Sequence, residues 1–301
     1  MPALNINETM SSNNTERKKV AVCGGGLVGC LAACYFAKRN FDVTLYEYRS
    51  DIRKMKVVIG RSINMAISIR GREGLKRIGA EEAITSQGIE MYSRMLHDLK
   101  GNMSSVPYGK KNQCILSIDR RFLNELLLNE AEKYPNLKIF FSHKLVKCNT
   151  VTGDLVFENM ETKEVIKTTT DLIVGADGAY SNVRQSLLHD KPIDYAQSYI
   201  DSYYLELRIP PNDKGEFKVP PKHLHIWPRG DFMLIALPNQ DCSFTCTLFM
   251  PHPMFDTLKT PNQVLEFFEK NFPNAVDLIG RQYLIECYFA TKPSPLLTVK
   301  V

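Results

Sequence analysis

Three glycines near the start of the sequence have a spacing that predicts a binding function. Gly24, Gly26 and Gly29 make a Gly-x-Gly-x-x-Gly pattern directly after the apolar run at 20–23. The first glycine permits a tight turn, the second lets the backbone approach a pyrophosphate, and the third lets a helix pack closely on a strand. The free N–H groups and the dipole of that helix favour an anion. The pattern predicts a dinucleotide-binding turn; an ordinary glycine-rich turn is the alternative.

An acidic residue follows the glycines at a distance that suits the same ligand. Glu47 lies 18 residues after Gly29, at the end of the next predicted strand. A carboxylate in that place can accept hydrogen bonds from an adenosine ribose, and it repels a 2′-phosphate by like charge. The site is therefore expected to hold FAD or NAD rather than NADP. A solvated surface carboxylate is the alternative for Glu47.

The elements around these residues predict an α/β fold. A strand at 20–23, an Ala-rich helix at 27–39 and a strand at 41–46 form a β-turn-α-β unit that begins an open parallel sheet. Asp119 is expected to cap a helix that runs to about residue 134. Further strands of this first domain are predicted at 138–141, 144–148, 154–158 and 171–174.

Beyond residue 185 the pattern changes to longer strands, which predicts a second, sheet-based domain with one amphipathic helix at 260–271. Its strands are predicted at 199–208, 224–227, 232–237 and 244–250. The expected organisation is a disordered tail at 1–17, a discontinuous dinucleotide-binding domain at 18–184 that contains some substrate-binding segments, and a substrate-binding domain with a mixed sheet at 185–301.

Composition argues against several other functions. The 38 basic and 33 acidic residues are spread along the 301-residue chain, whereas nucleic-acid binders concentrate basic residues on one face. No run of about 20 apolar residues predicts a membrane span. Eight cysteines without any C-x-x-C pair favour neither disulfides nor zinc. The pair His223 and His225 suggests a metal ligand set, but no Cys or carboxylate cluster completes it, so no metal is predicted.

A second motif distinguishes between the possible dinucleotides. The apolar strand at 171–174 leads into Asp177-Gly178, followed by Ser181 and Arg184. The segment resembles the Asp-Gly motif of the flavoprotein aromatic hydroxylases. The resemblance implies that Asp177 and Gly178 serve the flavin ribityl chain of FAD and the reducing NADPH. A strand that ends in an ordinary Asp-Gly turn is the alternative.

Four further stretches, at 60–66, 106–109, 224–229 and 243–251, are similar to the kynurenine 3-monooxygenase family, and the similarity runs from about Lys18 to the last residue. This resemblance implies hydroxylation of L-kynurenine to 3-hydroxykynurenine with O2 and NADPH, through a flavin C4a-hydroperoxide, in tryptophan degradation and NAD synthesis. It implies a Rossmann-like FAD-binding domain of the aromatic hydroxylase type. No strong protein base is demanded, because the aniline nitrogen of the substrate already activates the ring.

The same resemblance assigns site residues that spacing alone does not. Arg94 and Tyr108 are expected to hold the substrate carboxylate, which suits a bidentate guanidinium and a phenol donor. Spacing alone predicts instead that Arg94 is a solvated surface charge and that Tyr108 is an aromatic residue in a loop. The residues expected to line FAD are Leu27, Tyr46, Glu47, Arg49, Ala66, Arg120 and Leu145.

The sequence departs from the family at its C-terminal end. These hydroxylases return to the first domain with a Gly-Asp-Ala-Ala-His segment, whereas this chain ends at residues 298–301 within a predicted strand. A C-terminally truncated fold is therefore expected, and the alternatives are a catalytically incomplete isoform with weak or no FAD binding and an NAD-dependent dehydrogenase. The family location is the cytosolic face of the mitochondrial outer membrane, through a C-terminal anchor that is missing here, so this chain alone is expected to be cytosolic.

Overall fold

The computed structural model of the protein describes residues 16–56 and 64–300. Residues 1–15 of the predicted tail at 1–17, and the first four residues of the 60–66 segment, lie outside the described residues. The strands are β1 Lys19–Cys23, β2 Asp42–Tyr46, β3 Asn64–Ile67, β4 Ile89–Met91, β5 Ser93–His97, β6 Met103–Pro107, β7 Ile115–Asp119, β8 Leu137–Phe140, β9 His143–Cys148, β10 Asp154–Asn159, β11 Val165–Thr169, β12 Leu172–Gly175, β13 Ala196–Ile209, β14 His223–Arg229, β15 Phe232–Pro238, β16 Phe244–Pro251 and β17 Ser294–Lys300.

Among the helices of the described ranges, the three that were predicted from the sequence begin and end close to the predicted residues. They are α1 Leu27–Lys38, α2 Ile69–Ile78, α3 Glu81–Thr85, α4 Arg120–Glu132, α5 Asn182–Asp190, α6 His252–Phe255, α7 Pro261–Asn271, α8 Pro273–Ile279 and α9 Arg281–Ala290, with a short 3-10 helix at Ile52–Lys54. Asp119 caps α4 by accepting a hydrogen bond from the Phe122 N–H at 2.8 Å, as predicted. None of the helices in these ranges is long and apolar enough to cross a bilayer.

A four-stranded parallel sheet in the order β12-β1-β2-β8 forms the centre of the first half. Helices α1 and α4 cover one face, where α1 buries Cys30, Ala33, Cys34 and Ala37 at helical spacing. The antiparallel strands β9 to β11 cover the other face with a cluster that includes Phe157. Burial on both faces explains why these strands read as short apolar runs without alternation.

The second half is built on a seven-stranded mixed sheet in the order β17-β13-β16-β15-β14-β5-β6. Its last two strands, β5 and β6, come from the first half of the sequence. Alternate residues such as Leu205, Leu234 and Leu248 are buried beneath α7, α8 and α9. The residues between them lie on the opposite side of the sheet, which we call the open face.

The prediction of only one helix in the second half is wrong. The predicted helix is present as α7, with a capping box between Thr260 and Gln263, but α6, α8 and α9 are also there. Pro273 starts a new helix immediately after α7, and Gly280, at φ 94°, separates α8 from α9. These helices are short, and α9 buries only Leu284 and Tyr288, so their sequence periodicity is weak.

Candidate functional site

The glycine turn joins β1 to α1 in a geometry that only glycine satisfies at two of its three positions. Gly24 has a φ of 107°, and its N–H donates to the Tyr46 carbonyl at 2.7 Å. A Cβ added at Gly29 would lie 1.8 Å from the Gly24 carbonyl oxygen. A Cβ at Gly26 would meet no protein atom within 4 Å. The space in front of Gly26 is therefore free for a ligand that approaches the backbone closely.

Helix α1 presents an uncapped N-terminus to that space. Gly26 is the N-cap residue, none of the described side chains caps it, and the first turn carries no acidic residue. The first intrahelical hydrogen bond is donated by the Cys30 N–H to the Gly26 carbonyl, so the preceding N–H groups have no intrahelical acceptor. These donors and the positive end of the helix dipole suit a phosphate group.

Glu47 closes the turn from the end of β2. One carboxylate oxygen accepts from the Gly25 N–H at 2.6 Å, and the other accepts from the Arg49 N–H at 2.9 Å. Each oxygen has a second lone pair for a further donor. The carboxylate is only partly buried, so it can accept hydrogen bonds from a ribose, while Arg49 itself is exposed.

Asn124 is a part of this turn that the sequence did not reveal. Its side-chain amide donates to the Gly25 carbonyl at 3.0 Å, and the Cys30 thiol approaches the same oxygen at 3.1 Å. Burial raises the pKa of Cys30 to about 12, so the thiol stays protonated and can donate. Arg120 precedes Asn124 by one turn of α4 and therefore lies on the same helix face. This i, i+4 relation to Arg120 is the only feature of the sequence that could have pointed to Asn124.

The Asp-Gly segment lies against the glycine turn because β12 and β1 are parallel neighbours, with Gly175 opposite Cys23. A Cβ at Gly24 would lie 2.4 Å from the Ala176 carbonyl oxygen and 2.9 Å from the Asp177 Cα. The Asp177 carboxylate accepts from the Ser181 hydroxyl and from the N–H of Asn182 at 2.7 Å. Asp177 is thus held at the start of α5, beside the turn.

The remaining residues predicted to line the cofactor occupy different environments. Leu27 is half-buried in the first turn of α1, and Ala66 is exposed on β3 opposite Ser117. The Tyr46 ring is buried 3.9 Å from that of Phe157, so the part of Tyr46 nearest the turn is its backbone carbonyl. Leu145 is buried in the same cluster, and its carbonyl accepts from the Asn182 amide at 2.7 Å.

Arg94 and Tyr108 are brought together on the seven-stranded sheet. The Arg94 guanidinium carbon lies 4.6 Å from the centre of the Tyr108 ring. The Tyr108 hydroxyl is buried and makes no hydrogen bond within the described part of the chain. Burial raises the pKa of Tyr108, and Arg94 opposes that shift, so the phenol remains a donor at neutral pH. An unsatisfied donor beside a guanidinium is suited to an incoming carboxylate.

The two histidines that suggested a metal site have other partners. His225 Nε2 lies 2.8 Å from the Pro220 carbonyl, and its Nδ1 lies 2.8 Å from His97 Nε2. His223 Nδ1 lies 2.7 Å from the Ser93 hydroxyl. Across residues 16–56 and 64–300, no group of three or more His, Cys, Asp or Glu side chains could hold a metal ion.

Comparison with curated proteins finds high similarity to kynurenine 3-monooxygenases. The chain is 51% identical to the protein of that name from Anopheles gambiae and 50% identical to the one from Sus scrofa, over 93% and 97% of its own length. It spans 58% and 61% of the lengths of those two relatives. The resemblance predicted from the sequence is thereby confirmed.

Solved structures share the fold at low sequence identity, and the FAD-binding family is matched directly. A tetrameric form of 2-methyl-3-hydroxypyridine-5-carboxylic acid oxygenase has a TM-score of 0.73 at 20% identity, covering 95% of this chain and 71% of that one. A probable FAD-dependent monooxygenase from Pseudomonas aeruginosa has a TM-score of 0.68 at 14% identity, covering 93% and 73%. These confirm the predicted aromatic hydroxylase fold. Since the family described as FAD binding domain matches residues 17–205, more than half of the sequence, the chain belongs to the FAD binding domain family.

Proposed function

We propose that the protein is an FAD-dependent monooxygenase that hydroxylates L-kynurenine to 3-hydroxykynurenine, with NADPH as the electron donor. The observation that carries this proposal is the pairing of Arg94 with the buried, unpartnered Tyr108 hydroxyl, in a chain that also has an open dinucleotide turn. The named relatives support it. The chain spans about three fifths of their length, so the activity in their names is proposed for this chain and not taken over from them.

The chain's own residues fit the FAD that its family binds. We assign the pyrophosphate to the backbone at Gly26 and the N-terminus of α1, and the adenosine ribose to Glu47. Arg120, on the same face of α4 as Asn124, supplies a further charge for the phosphates. By the family resemblance, Asp177 and Gly178 serve the ribityl chain. The remaining proposed contacts, through side chain or backbone, are Leu27, Tyr46, Arg49, Ala66 and Leu145.

The work of the protein is to hold the substrate and exclude water, because the bound flavin supplies the reductive activation of oxygen and its transfer to the ring. Arg94 donates two hydrogen bonds to the substrate carboxylate, and the Tyr108 phenol donates a third. On the open face, Leu224 of β14 stands opposite Arg94 of β5. Two residues farther along β14, Ile226 is paired with Ile235 of β15. These apolar side chains pack against the aromatic ring and keep water from it.

Replacing Tyr108 with phenylalanine is expected to weaken L-kynurenine binding without loss of stability. The hydroxyl has no partner among the described residues, so removing it breaks no internal hydrogen bond and abolishes an unfavourable burial. Its donor to the carboxylate is lost, which costs about 1 kcal/mol, or roughly fivefold in Kd. Calorimetric titration and the thermal midpoint measure the two effects. An unchanged Kd removes the phenol from the carboxylate site.

The direct test is to titrate the purified chain with FAD, followed by flavin fluorescence, and with L-kynurenine, followed by calorimetry. Saturable binding of both ligands supports the proposal. Binding of NAD without FAD would indicate a dehydrogenase, and binding of FAD with no affinity for L-kynurenine would indicate a different aromatic substrate. In the chain loaded with FAD, kynurenine-dependent oxidation of NADPH tests the electron donor. We also propose attachment to the cytosolic face of the mitochondrial outer membrane, on the family resemblance alone.

A further inference from the structure

A buried chain of hydrogen bonds lies beneath the strand that carries Arg94. Trp227 Nε1 donates to the side-chain oxygen of Asn274 at 2.8 Å, and the Asn274 amide nitrogen lies 3.0 Å from His97 Nδ1. His97 Nε2 lies 2.8 Å from His225 Nδ1, and His225 Nε2 lies 2.8 Å from the Pro220 carbonyl. His97 also stacks on Trp227 at 3.9 Å. The chain connects β5, β14, α8 and the loop before β14.

The two ends of this chain fix the direction of every bond in it. The Pro220 carbonyl only accepts, so His225 carries its proton on Nε2 and accepts at Nδ1. His97 must then donate from Nε2 and accept at Nδ1 from Asn274. The Trp227 indole only donates, which orients the Asn274 amide in the same sense. The chain is complete only when His97 and His225 are both neutral, because protonating either ring removes an acceptor.

The surroundings of the two rings keep them neutral. Both are buried, with His97 1% and His225 0% exposed. Burial lowers the pKa of His97 to about 4, assisted by His225 and Arg229, and burial lowers that of His225 to about 4, with His223 acting in the same direction. The charged or titratable groups nearby are therefore His223 and Arg229 on β14 and the exposed Asp98 after β5, while α8 contributes the uncharged Asn274.

This network fixes β5 on the side opposite Arg94. Ser93 and His97 point to the buried side of the strand, and their partners are His223 and Ser105 for Ser93 and His225 for His97. Arg94 lies between these two anchor points and projects to the open face, opposite Leu224 in the parallel ladder. The place of its guanidinium over Tyr108 thus depends on how β5 is seated on β14.

We propose that His97 and His225 are positioning residues that act through Arg94: their neutral hydrogen-bonded pair holds β5 in the register that places the guanidinium for the substrate carboxylate. The inference rests on the proposed role of Arg94 in binding L-kynurenine. Neither imidazole contacts the ligand, since both lie on the buried side of the sheet.

His97→Phe is the first test, because a phenyl ring keeps the stack on Trp227 but can neither accept from Asn274 nor donate to His225. We expect L-kynurenine to bind roughly tenfold more weakly at neutral pH while FAD affinity is unchanged. His189→Phe, at an exposed histidine on α5, is the matched control and should change neither. An unchanged Kd for His97→Phe overturns the inference if Arg94→Ala weakens binding. If Arg94→Ala also leaves Kd unchanged, the proposed carboxylate site itself is wrong.

Asn274→Asp gives a test that does not depend on how well His97→Phe folds. A carboxylate can only accept, so His97 must donate to it from Nδ1, and the pKa of His97 rises. Below the raised pKa the imidazolium still donates to His225. Above it, His97 Nε2 and His225 Nδ1 face each other as two acceptors, and the bond is lost.

The affinity of Asn274→Asp for L-kynurenine should therefore fall as pH rises through the His97 pKa, which imidazole NMR measures in the same variant. The unmodified chain should bind with the same affinity between about pH 6 and about pH 8, because both rings are already neutral there. An affinity that shows no inflection at the measured His97 pKa overturns the proposal. A merely structural role would alter the thermal midpoint without producing that inflection in binding.

Discussion

Replacing Gly26 with alanine is expected to abolish tight FAD binding and leave the fold intact. The backbone at Gly26 has φ −76° and ψ −174°, which alanine adopts readily, and its Cβ would meet no protein atom within 4 Å. The added methyl group would instead occupy the space that the pyrophosphate needs to reach the N–H groups of α1. A loss of about 2 kcal/mol or more, roughly 30-fold in Kd, is expected from the displaced phosphate contacts.

Gly29→Ala is the contrasting variant, because its methyl group collides with the protein. The Cβ would lie 1.8 Å from the backbone oxygen of Gly24, which cannot rotate away as a side chain could. Helix α1 would have to move off β1, at a cost of about 3 kcal/mol or more in the free energy of unfolding. Thermal unfolding separates the two variants, and flavin fluorescence measures FAD affinity in each.

Gly74→Ala serves as the control for a neutral glycine substitution. Gly74 lies within α2, and its Cβ would contact Leu31 at an ordinary 3.4 Å. Alanine should leave the stability unchanged or slightly higher, because it favours helix more than glycine does. If Gly26→Ala binds FAD as tightly as the unmodified chain does, the phosphate does not bind at this turn.

The parts of the fold that follow from short stretches of sequence could be predicted. The strand, glycine turn and helix at 19–38 depend on adjacent residues, and β1, α1 and β2 lie where the sequence places them. The contribution of Asn124 could not be found, because its bond to the Gly25 carbonyl joins residues 99 positions apart. Spacing within a helix shows which residues share a face, but not which distant loop that face will contact.

The meeting of Arg94 with Tyr108 has the same origin in long-range structure. Arg94 lies on β5 and Tyr108 directly follows the neighbouring strand β6, yet β5 is placed by a parallel pairing with β14, where Leu224 stands opposite Arg94. A parallel pairing between segments about 130 residues apart leaves no local pattern in the sequence. Only the family resemblance singled out these residues, and their role in binding the substrate stays a prediction.

Removing the Arg94 guanidinium is expected to weaken L-kynurenine binding by about 2 kcal/mol, roughly 30-fold in Kd, without affecting FAD. The loss exceeds that expected for Tyr108→Phe because a charged bidentate donor is removed rather than one neutral hydroxyl. The guanidinium lies over the Tyr108 ring and takes part in none of the ion pairs among the described residues, so Arg94→Ala is not expected to break an ion pair there. Isothermal titration of the variant with each ligand separates the two affinities.

Arg94→Lys distinguishes the geometry of the guanidinium from its charge. Lysine keeps the positive charge but offers a single ammonium instead of a planar fork, so an intermediate Kd is expected if the carboxylate is bound bidentately. Arg77→Ala, at an exposed arginine on α2, removes a charge that has no part in either proposed site and should change neither affinity. If Arg94→Ala weakens FAD and L-kynurenine equally, Arg94 supports the fold instead of the substrate. If Arg94→Lys binds as tightly as the unmodified chain, attraction by charge alone explains the site, and the bidentate arrangement over Tyr108 is wrong.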